Sequence, residues 1–368
     1  MATQEELDQH WMQRAVVLAE QGAGRVSPNP LVGCVIARQD ECISEGWHKS
    51  YGDVHAEIDA LQKAEGEDLS AATMYVTLEP CAHVGKQPAC ASTLATTTIP
   101  RFVIGCVDPN PLVSGSGLNI LQQSGKEVVT GVCQDSCAWL ARYFLFSMRT
   151  GLPYIVGKMA VTSNRRIAMP AGNDRWITGI ESRSIVHSMR STLDAVMIGI
   201  RTVIADDPML DVRHVAGRSP ARIIIDPSCH LPIDSAIVRS CDTYRTIVIT
   251  AADSTQQDQR VRLQDCGVEI ITIDRSPNEL APREIARTLH SLGLQSILLE
   301  GGPVTLDNFL RANLVQEMHI HESPIVVAGE RSWSYDFNTS LWHLTSSSSA
   351  GNDQHYVYTL NGLQESLL

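Results

Sequence analysis

His55-Ala56-Glu57 is followed, 24 residues after the Glu, by Pro80-Cys81, and then by Cys90. One imidazole and two thiolates form a borderline-soft set suited to a tetrahedral Zn²⁺. Three protein ligands leave the fourth position for water, which is the arrangement of a catalytic zinc and not of a purely structural one. Each ligand is expected where a helix begins, because helix N-termini favour anions and hold Cys81 and Cys90 as thiolates ready for metal. Glu57 is too near His55 in sequence to be an obvious fourth ligand, yet it can reach the water. It is therefore the expected general acid/base. A His-Ala-Glu triplet alone is common by chance, and a lone buried Cys usually behaves as a small hydrophobe. The combination carries the signal.

The elements that must position these groups follow from patterning. Leu7, Trp11, Ala15 and Leu18 mark one face of a helix over about residues 4 to 21, stopped at Gly22 and Gly24. Leu31 to Ala37 and Thr73 to Leu78 are β-rich apolar runs, and both predict buried strands. Asp53 is expected to cap a helix from about Val54 to Ala64. Phe102 to Val107 predicts a third strand, stopped by Asp108-Pro109-Asn110-Pro111. A helix over 134 to 148 is broken by Thr150-Gly151-Leu152-Pro153 before a strand from Tyr154 to Met159, so the domain boundary falls there, giving domains 1–150 and 151–368. The second half alternates again. Strands are expected near Ala195 to Ile200, Arg222 to Asp226, Thr246 to Thr250, Val268 to Ile273 and Ser296 to Glu300, with helices at about 180 to 191 and 282 to 292. Both halves therefore predict α/β layer structures. Ser346 to Ser349 is expected to be a loop.

Composition removes several classes of function. The 368 residues carry 29 Lys+Arg against 41 Asp+Glu, a net charge of −12, which argues against a protein that lives on nucleic-acid phosphates or anionic membranes. The most apolar region, Ala138 to Val156, is interrupted by Arg142, Arg149 and Pro153, so no membrane span is expected. The acidic, polar start differs from a secretory signal, and the expected location is the cytoplasm. Ten cysteines are then expected to be thiols or metal ligands and not a disulfide framework.

H-x-E followed by P-C-x-x-C is the pattern of zinc nucleobase deaminases, in which hydroxide attacks an amidine carbon and the Glu shuttles the proton. Here the second spacing is C-x8-C. The stretch from Thr77 to Cys90, T-L-E-P-C-A-H-V-G-K-Q-P-A-C, closely resembles the corresponding segment of the bifunctional riboflavin-biosynthesis deaminase/reductase family. Ser27-Pro28-Asn29-Pro30-Leu31-Val32-Gly33-Cys34, Gly46-Trp47-His48 ahead of His55, and Asp108-Pro109-Asn110-Pro111 are similar to further family segments, with Ser27 where the family has His. The resemblance implies a cytidine-deaminase-like α/β/α domain in which Asn29, His48, Lys86, Asp108 and Asn110 surround the substrate. His48 and Lys86 can meet a phosphate or ribose, and Asn29 can read a pyrimidine edge.

The second half resembles the family's dihydrofolate-reductase-like domain. The matching pieces include Gly151-Leu152-Pro153-Tyr154 with Lys158, Trp176-Ile177-Thr178, Val186-His187-Ser188-Met189-Arg190, Asp194 to Gly199, Ala205-Asp206-Asp207-Pro208 with Arg213, and Glu300-Gly301-Gly302-Pro303. The resemblance implies that Lys158 and Asp206 act in catalysis and that Thr178, Arg190, Arg213 and Glu300 bind the substrate. It also implies that Gly199, Thr202, Gly301 and Gly302 approach NADPH, and that the protein is a homodimer. By itself, Glu-Gly-Gly after an apolar strand is only a plausible phosphate-approach turn. The implied activity is hydrolytic deamination of 2,5-diamino-6-ribosylamino-4(3H)-pyrimidinone 5′-phosphate, followed by NADPH-dependent reduction of its ribosyl group to ribityl.

This chain departs from the family mainly in that half. Thr162-Ser163-Asn164-Arg165-Arg166 stands where the family reads S-L-D-G-[KR]. Arg201 replaces a small residue before Thr202, and Ser323-Pro324-Ile325-Val326-Val327-Ala328-Gly329 replaces P-K-L-x-G-G. These changes motivate a second reading, a deaminase with a non-reducing second domain that serves a specialised pathway. A nucleic-acid base deaminase is a third reading, opposed by the net charge, the C-x8-C spacing and the second domain.

Overall fold

A computed structural model of the chain describes residues 2–82, 89–109, 114–167, 176–276, 279–328 and 340–367. The chain divides into two units, Met1–Gly151 with Gln364–Leu368, and Leu152–Leu363. The last residues thus belong with the first unit and not with the second, as a single cut at residue 150 would have them.

In the first unit α1 (Gln4–Glu20), β1 (Gly33–Arg38), β2 (Glu41–Trp47), α2 (Ala56–Lys63), β3 (Thr73–Leu78), α3 (Cys90–Ala95), β4 (Arg101–Cys106), α4 (Ser116–Gln123), β5 (Glu127–Thr130), α5 (Gln134–Leu140) and α6 (Arg142–Thr150) follow in order. The sheet order is β2-β1-β3-β4-β5. β1 runs antiparallel to β2 and β3, whereas β3, β4 and β5 are parallel. β3 and β4 are buried almost throughout, because apolar clusters cover both faces. Trp11, Met12, Leu18, Val103 and Leu145 lie in one cluster; Ile36, Met74, Leu94, Phe102 and Leu121 lie in the other. This is a three-layer α/β/α sandwich.

Local sequence accounts for the placing of these elements. Thr3 and Glu6 form a reciprocal capping box at the start of α1. α2 begins at Ala56 with His55 as N-cap, so Asp53 does not cap it; Asp53 instead accepts a hydrogen bond from Ser50. Gly46 of β2 allows close approach to α2, since a Cβ there would meet Ala56 O at 2.3 Å and Ala60 N at 2.5 Å. The expected helix over 134 to 148 is two helices that meet at Ala141.

The second unit contains β6 (Tyr154–Thr162), α7 (Ile180–Thr192), β7 (Ala195–Gly199), α8 (Ile200–Asp206), β8 (Ala221–Ile225), α9 (Ala236–Arg239), β9 (Thr246–Ala251), α10 (Gln257–Asp265) and β10 (Glu269–Ile273). There follow β11 (Arg275–Ser276), β12 (Glu279–Leu280), α11 (Pro282–Ser291), β13 (Ser296–Gly301), α12 (Pro303–Arg311), β14 (Glu317–Ser323), β15 (Trp342–Ala350) and β16 (Asp353–Leu360). α13 (Leu363–Leu367) closes the chain. The nine-stranded sheet is ordered β10-β9-β8-β7-β13-β6-β14-β16-β15. It is parallel from β10 to β14, and β16 and β15 add an antiparallel edge. The all-buried sequences of β7, β8 and β9 are what a sheet covered on both faces requires. Ser346 to Ser349 lie within β15, paired to β16, and are not a loop. No helix among the described residues is long and apolar enough to cross a membrane.

Candidate functional site

The parallel strands of the first unit deliver the metal set. β3 and β4 end in register at Leu78 and Cys106, and the chain beyond each carboxyl end supplies Cys81 and Asp108, where ligands of parallel sheets characteristically bind. His55 sits at the N-terminus of α2 and Cys90 opens α3. Cys81 is not at a helix start. It lies in the connection between β3 and α3, and the Cys90 backbone N–H donates to its Sγ at 3.4 Å.

His55 Nδ1 is 3.6 Å from Cys81 Sγ and 3.3 Å from Cys90 Sγ, and the three ligand atoms all lie within 4.8 Å of one another. Zinc bonds of about 2.0–2.3 Å in a tetrahedron put ligand atoms about 3.5–3.8 Å apart, so the set fits the ion. Its charge fits too. Hydrogen bonding from Cys90 and from His55 pulls the Cys81 thiol down to about 4, while its neighbour Cys81 and burial push Cys90 up. Two adjacent sulfurs that resist ionising together gain from a cation between them.

Glu57 is buried at the start of α2, and burial raises its pKa against the lowering effect of a backbone N–H and of His55. His48 lies against His55, with ring centroids 5.3 Å apart. Its Nδ1 is 3.1 Å from Val54 O and its Nε2 is 3.1 Å from Asn29 Nδ2. Those partners make Nδ1 the donor and Nε2 the acceptor, and burial depresses the His48 pKa, so the ring is neutral and braces Asn29. Asp108 is buried, with its N–H donated to Glu79. Lys86 and Asn110 lie outside the described residues.

In the second unit three of the predicted residues, Arg190, Glu300 and Lys158, come together. Arg190 of α7 grips Glu300 of β13 through both carboxylate oxygens, with Nη2 2.7 Å from Oε2. Lys158 of β6 adds to the field that lowers the Glu300 pKa, against burial. Burial lowers the pKa of Lys158 itself, and Glu300 partly restores it. Arg213 is reached through His187, whose Nδ1 accepts the Arg213 N–H at 3.2 Å. Burial and the cations Arg190 and Arg213 push His187 down to about 4, which keeps it the neutral acceptor. Thr178 immediately precedes Gly179, the N-cap of α7, whose N–H is held by Asp353 Oδ2 at 2.8 Å.

A glycine-lined turn forms next to this group. Gly301 and Gly302 have φ of 156° and 66°, and a Cβ on Gly302 would come within 3.1 Å of Thr202 Oγ1. A Cβ on Gly199 would meet Thr305 Oγ1 at 2.5 Å. Two hydroxyls and bare backbone before the N-terminus of α12 suit a cofactor's phosphates. Asp206 is exposed at the end of α8, four residues after Thr202 and so on the same helix face.

The departures from the family pattern lie on exposed backbone, with Arg201 directly before Thr202. Arg165 and Arg201 are exposed, and Arg165 takes the left-handed conformation, φ 62°, that its family Gly would adopt freely. Asn164 Nδ2 donates to Val327 O at 3.0 Å, a bond that a carboxylate could not make. Glu79 and His187 were not singled out from the sequence, although both stood inside stretches that resemble the family.

The first unit is thus built as a zinc-binding deaminase and the second as an α/β reductase domain. The family described as the cytidine and deoxycytidylate deaminase zinc-binding region matches residues 5–106, and the RibD C-terminal domain matches residues 153–356. The riboflavin biosynthesis protein RibD of Actinobacillus pleuropneumoniae is 38% identical over 324 residues, 88% of this chain and 85% of that one. An Acinetobacter baumannii RibD structure matches with a TM-score of 0.86 at 35% identity, covering 97% of this chain and all 100% of that one. A Thermotoga maritima diaminohydroxyphosphoribosylaminopyrimidine deaminase/5-amino-6-(5-phosphoribosylamino)uracil reductase also matches with a TM-score of 0.86, at 30% identity and coverages of 97% and 100%. The chain belongs to the RibD family, the bifunctional deaminase/reductases of riboflavin biosynthesis. It joins a zinc-dependent pyrimidine deaminase to a reductase that uses a nicotinamide cofactor.

Proposed function

We propose that the first unit removes the 2-amino group of 2,5-diamino-6-ribosylamino-4(3H)-pyrimidinone 5′-phosphate at His55, Cys81, Cys90 and Glu57, and that the second reduces the ribosyl group of the product with NADPH. The observation that carries this reading is the meeting of the three ligand atoms within 4.8 Å beside the buried Glu57. Zinc held by His55, Cys81 and Cys90 supplies a lowered pKa for the attacking water. Glu57 is buried beside the ligand set, where a carboxyl can both take and return a proton. Glu57 takes a proton from the water and delivers it to the departing amine, so that water and the amidine give a carbonyl and ammonia. Asn29, oriented by His48, meets the polar edge of the pyrimidine, with Asp108, Lys86 and Asn110 completing the site.

In the second unit the nicotinamide supplies the hydride. Arg190 holds the Glu300 carboxylate ready for the sugar hydroxyls, Lys158 and Asp206 position and polarise the sugar, and Thr178 and Arg213 bind the remainder of the substrate. Gly199, Thr202, Gly301 and Gly302 receive the phosphates of NADPH. The ten free thiols suit a reducing, cytoplasmic location. A homodimer is proposed on the family resemblance.

Metal analysis of Cys81→Ser and Cys90→Ser tests the ligand assignment. Each variant is expected to lose most of its zinc and all deamination, and full zinc occupancy in either one contradicts the assignment.

A further inference from the structure

Glu79 ends β3's run toward the metal ligands, two residues before Cys81, and it is buried. Among the described residues, its two carboxylate oxygens accept four backbone N–H groups. Oε2 takes those of Asp108 at 3.2 Å and Gly115 at 3.1 Å, and Oε1 takes those of Gly117 at 2.9 Å and Leu118 at 3.4 Å. Gly115 is the N-cap of α4, with φ 73°, and no side chain of its own to offer. Glu79 therefore supplies α4's missing cap from the connection after β3, at the helix end where a negative charge is favoured. The same carboxylate holds Asp108, where the chain leaves β4. The two connections are pressed together as well, since a Cβ on Gly117 would meet Pro80 O at 2.1 Å.

One carboxylate thus fixes Asp108 and the first turn of α4 to the segment that carries Cys81. A glutamine could not replace it. Its amide has a single acceptor oxygen, and its NH₂ would face backbone N–H groups that also donate. Several backbone donors converging on one carboxylate make this arrangement stiff, and it sets the position of Asp108 closely.

We propose that Glu79 is a positioning residue of the deaminase, which sets Asp108 at the substrate relative to the metal centre. The inference rests on the reading of Asp108 as a substrate residue. The role predicts a selective kinetic signature. With Glu79→Gln the deaminase KM rises tenfold or more while kcat changes less than threefold and zinc content stays at that of the parent. Glu79→Asp, which keeps the charge on a shorter arm, recovers part of the loss.

The experiment is steady-state deamination by the zinc-loaded full chain carrying Glu79→Gln, Glu79→Asp or Asp108→Asn, with zinc content and thermal midpoint measured on each. A lowered midpoint with KM and kcat unchanged in Glu79→Gln would reduce Glu79 to a structural clasp and overturn the proposal. Loss of zinc from Glu79→Gln would show that it acts through Cys81 and would overturn it equally. If Glu79→Gln does not fold, Glu79→Asp decides by the same KM and zinc criteria. If Asp108→Asn leaves KM unmoved, the reading of Asp108 has failed; if it raises KM while both Glu79 variants do not, the role of Glu79 alone has failed.

Discussion

The two halves assemble their sites by different means. In the deaminase unit three metal-binding side chains and one acid converge from chain segments at the ends of helices and strands, and the chemistry of a single ion dictates which residue types can stand there. In the reductase unit the proposed substrate groups lie across a continuous sheet, with Glu300 on β13, Lys158 on β6 and Arg190 on the covering helix α7. Arg190 and Glu300 are 110 residues apart in the chain and meet only through strand order and register. A metal centre can be written into a short motif, whereas a charge cluster on a sheet face is written only in the whole fold.

Four changes would sharpen or break that contrast. The largest effect is expected from Glu57→Gln, which should lower the deamination rate by about 10²–10⁴-fold. Zinc and reduction of already deaminated substrate should survive it. Retained deamination would remove Glu57 from the chemistry.

Next comes Glu300→Gln, which leaves the buried Arg190 cation without its carboxylate counter-charge, a loss of about 3–5 kcal/mol for pairs of this kind. Cofactor oxidation should stop and the reductase unit should melt earlier, with deamination preserved. A variant that reduces normally would show that the pair serves only the fold.

Acid should separate the halves more gently. Burial pushes His187 and His355 down to about 4 and His321 down to about 2, and both ring nitrogens of His321 lack hydrogen-bond partners among the described residues. The unfolded chain takes up these protons near the ordinary histidine value of about 6.5. Stability contributed by the neutral rings is therefore present above that pH and drains away as pH falls toward the folded-state values. Calorimetry at pH 7.5 and pH 5 should show the reductase-unit transition moving down, and His321→Phe should lessen the shift. An unmoved transition contradicts this account of the buried histidines.

The smallest effect concerns Arg165. A left-handed residue other than Gly costs about 1–2 kcal/mol, and Gly adds flexibility to the unfolded chain that offsets part of the relief. Arg165→Gly should stabilise the chain by roughly 0.5 kcal/mol, read as a small rise in thermal midpoint, and should leave reduction unimpaired. A gain in reduction would mean that Arg165 had restricted the pocket.

Legibility in the sequence followed the same division. His55, Glu57, Cys81 and Cys90 were readable because their types are chemically restrictive, and the buried strands because parallel sheets demand unbroken apolar runs such as Ala195 to Gly199. β2 was not readable, since Glu41 to Trp47 is a half-exposed edge strand with polar residues. Ser346 to Ser349 looked like a loop for the same reason: β15 is an outer strand held by backbone pairing to β16, which asks little of its side chains. Asp53 was a plausible cap by type, but the helix starts two residues later at a metal ligand. The clasp at Glu79 was invisible because its four donors are main-chain groups, which any sequence provides.

The central claim is that the two units carry out successive steps on one molecule. It is tested most directly by a mass-spectrometric time course of the zinc-loaded chain with the diaminopyrimidine ribosyl phosphate, run with and without NADPH. Replacement of one amine by oxygen without cofactor, followed by a gain of two hydrogens when NADPH is present, is the predicted result. Deamination that stops there, with no NADPH oxidised, would contradict it and leave the second unit as a scaffold.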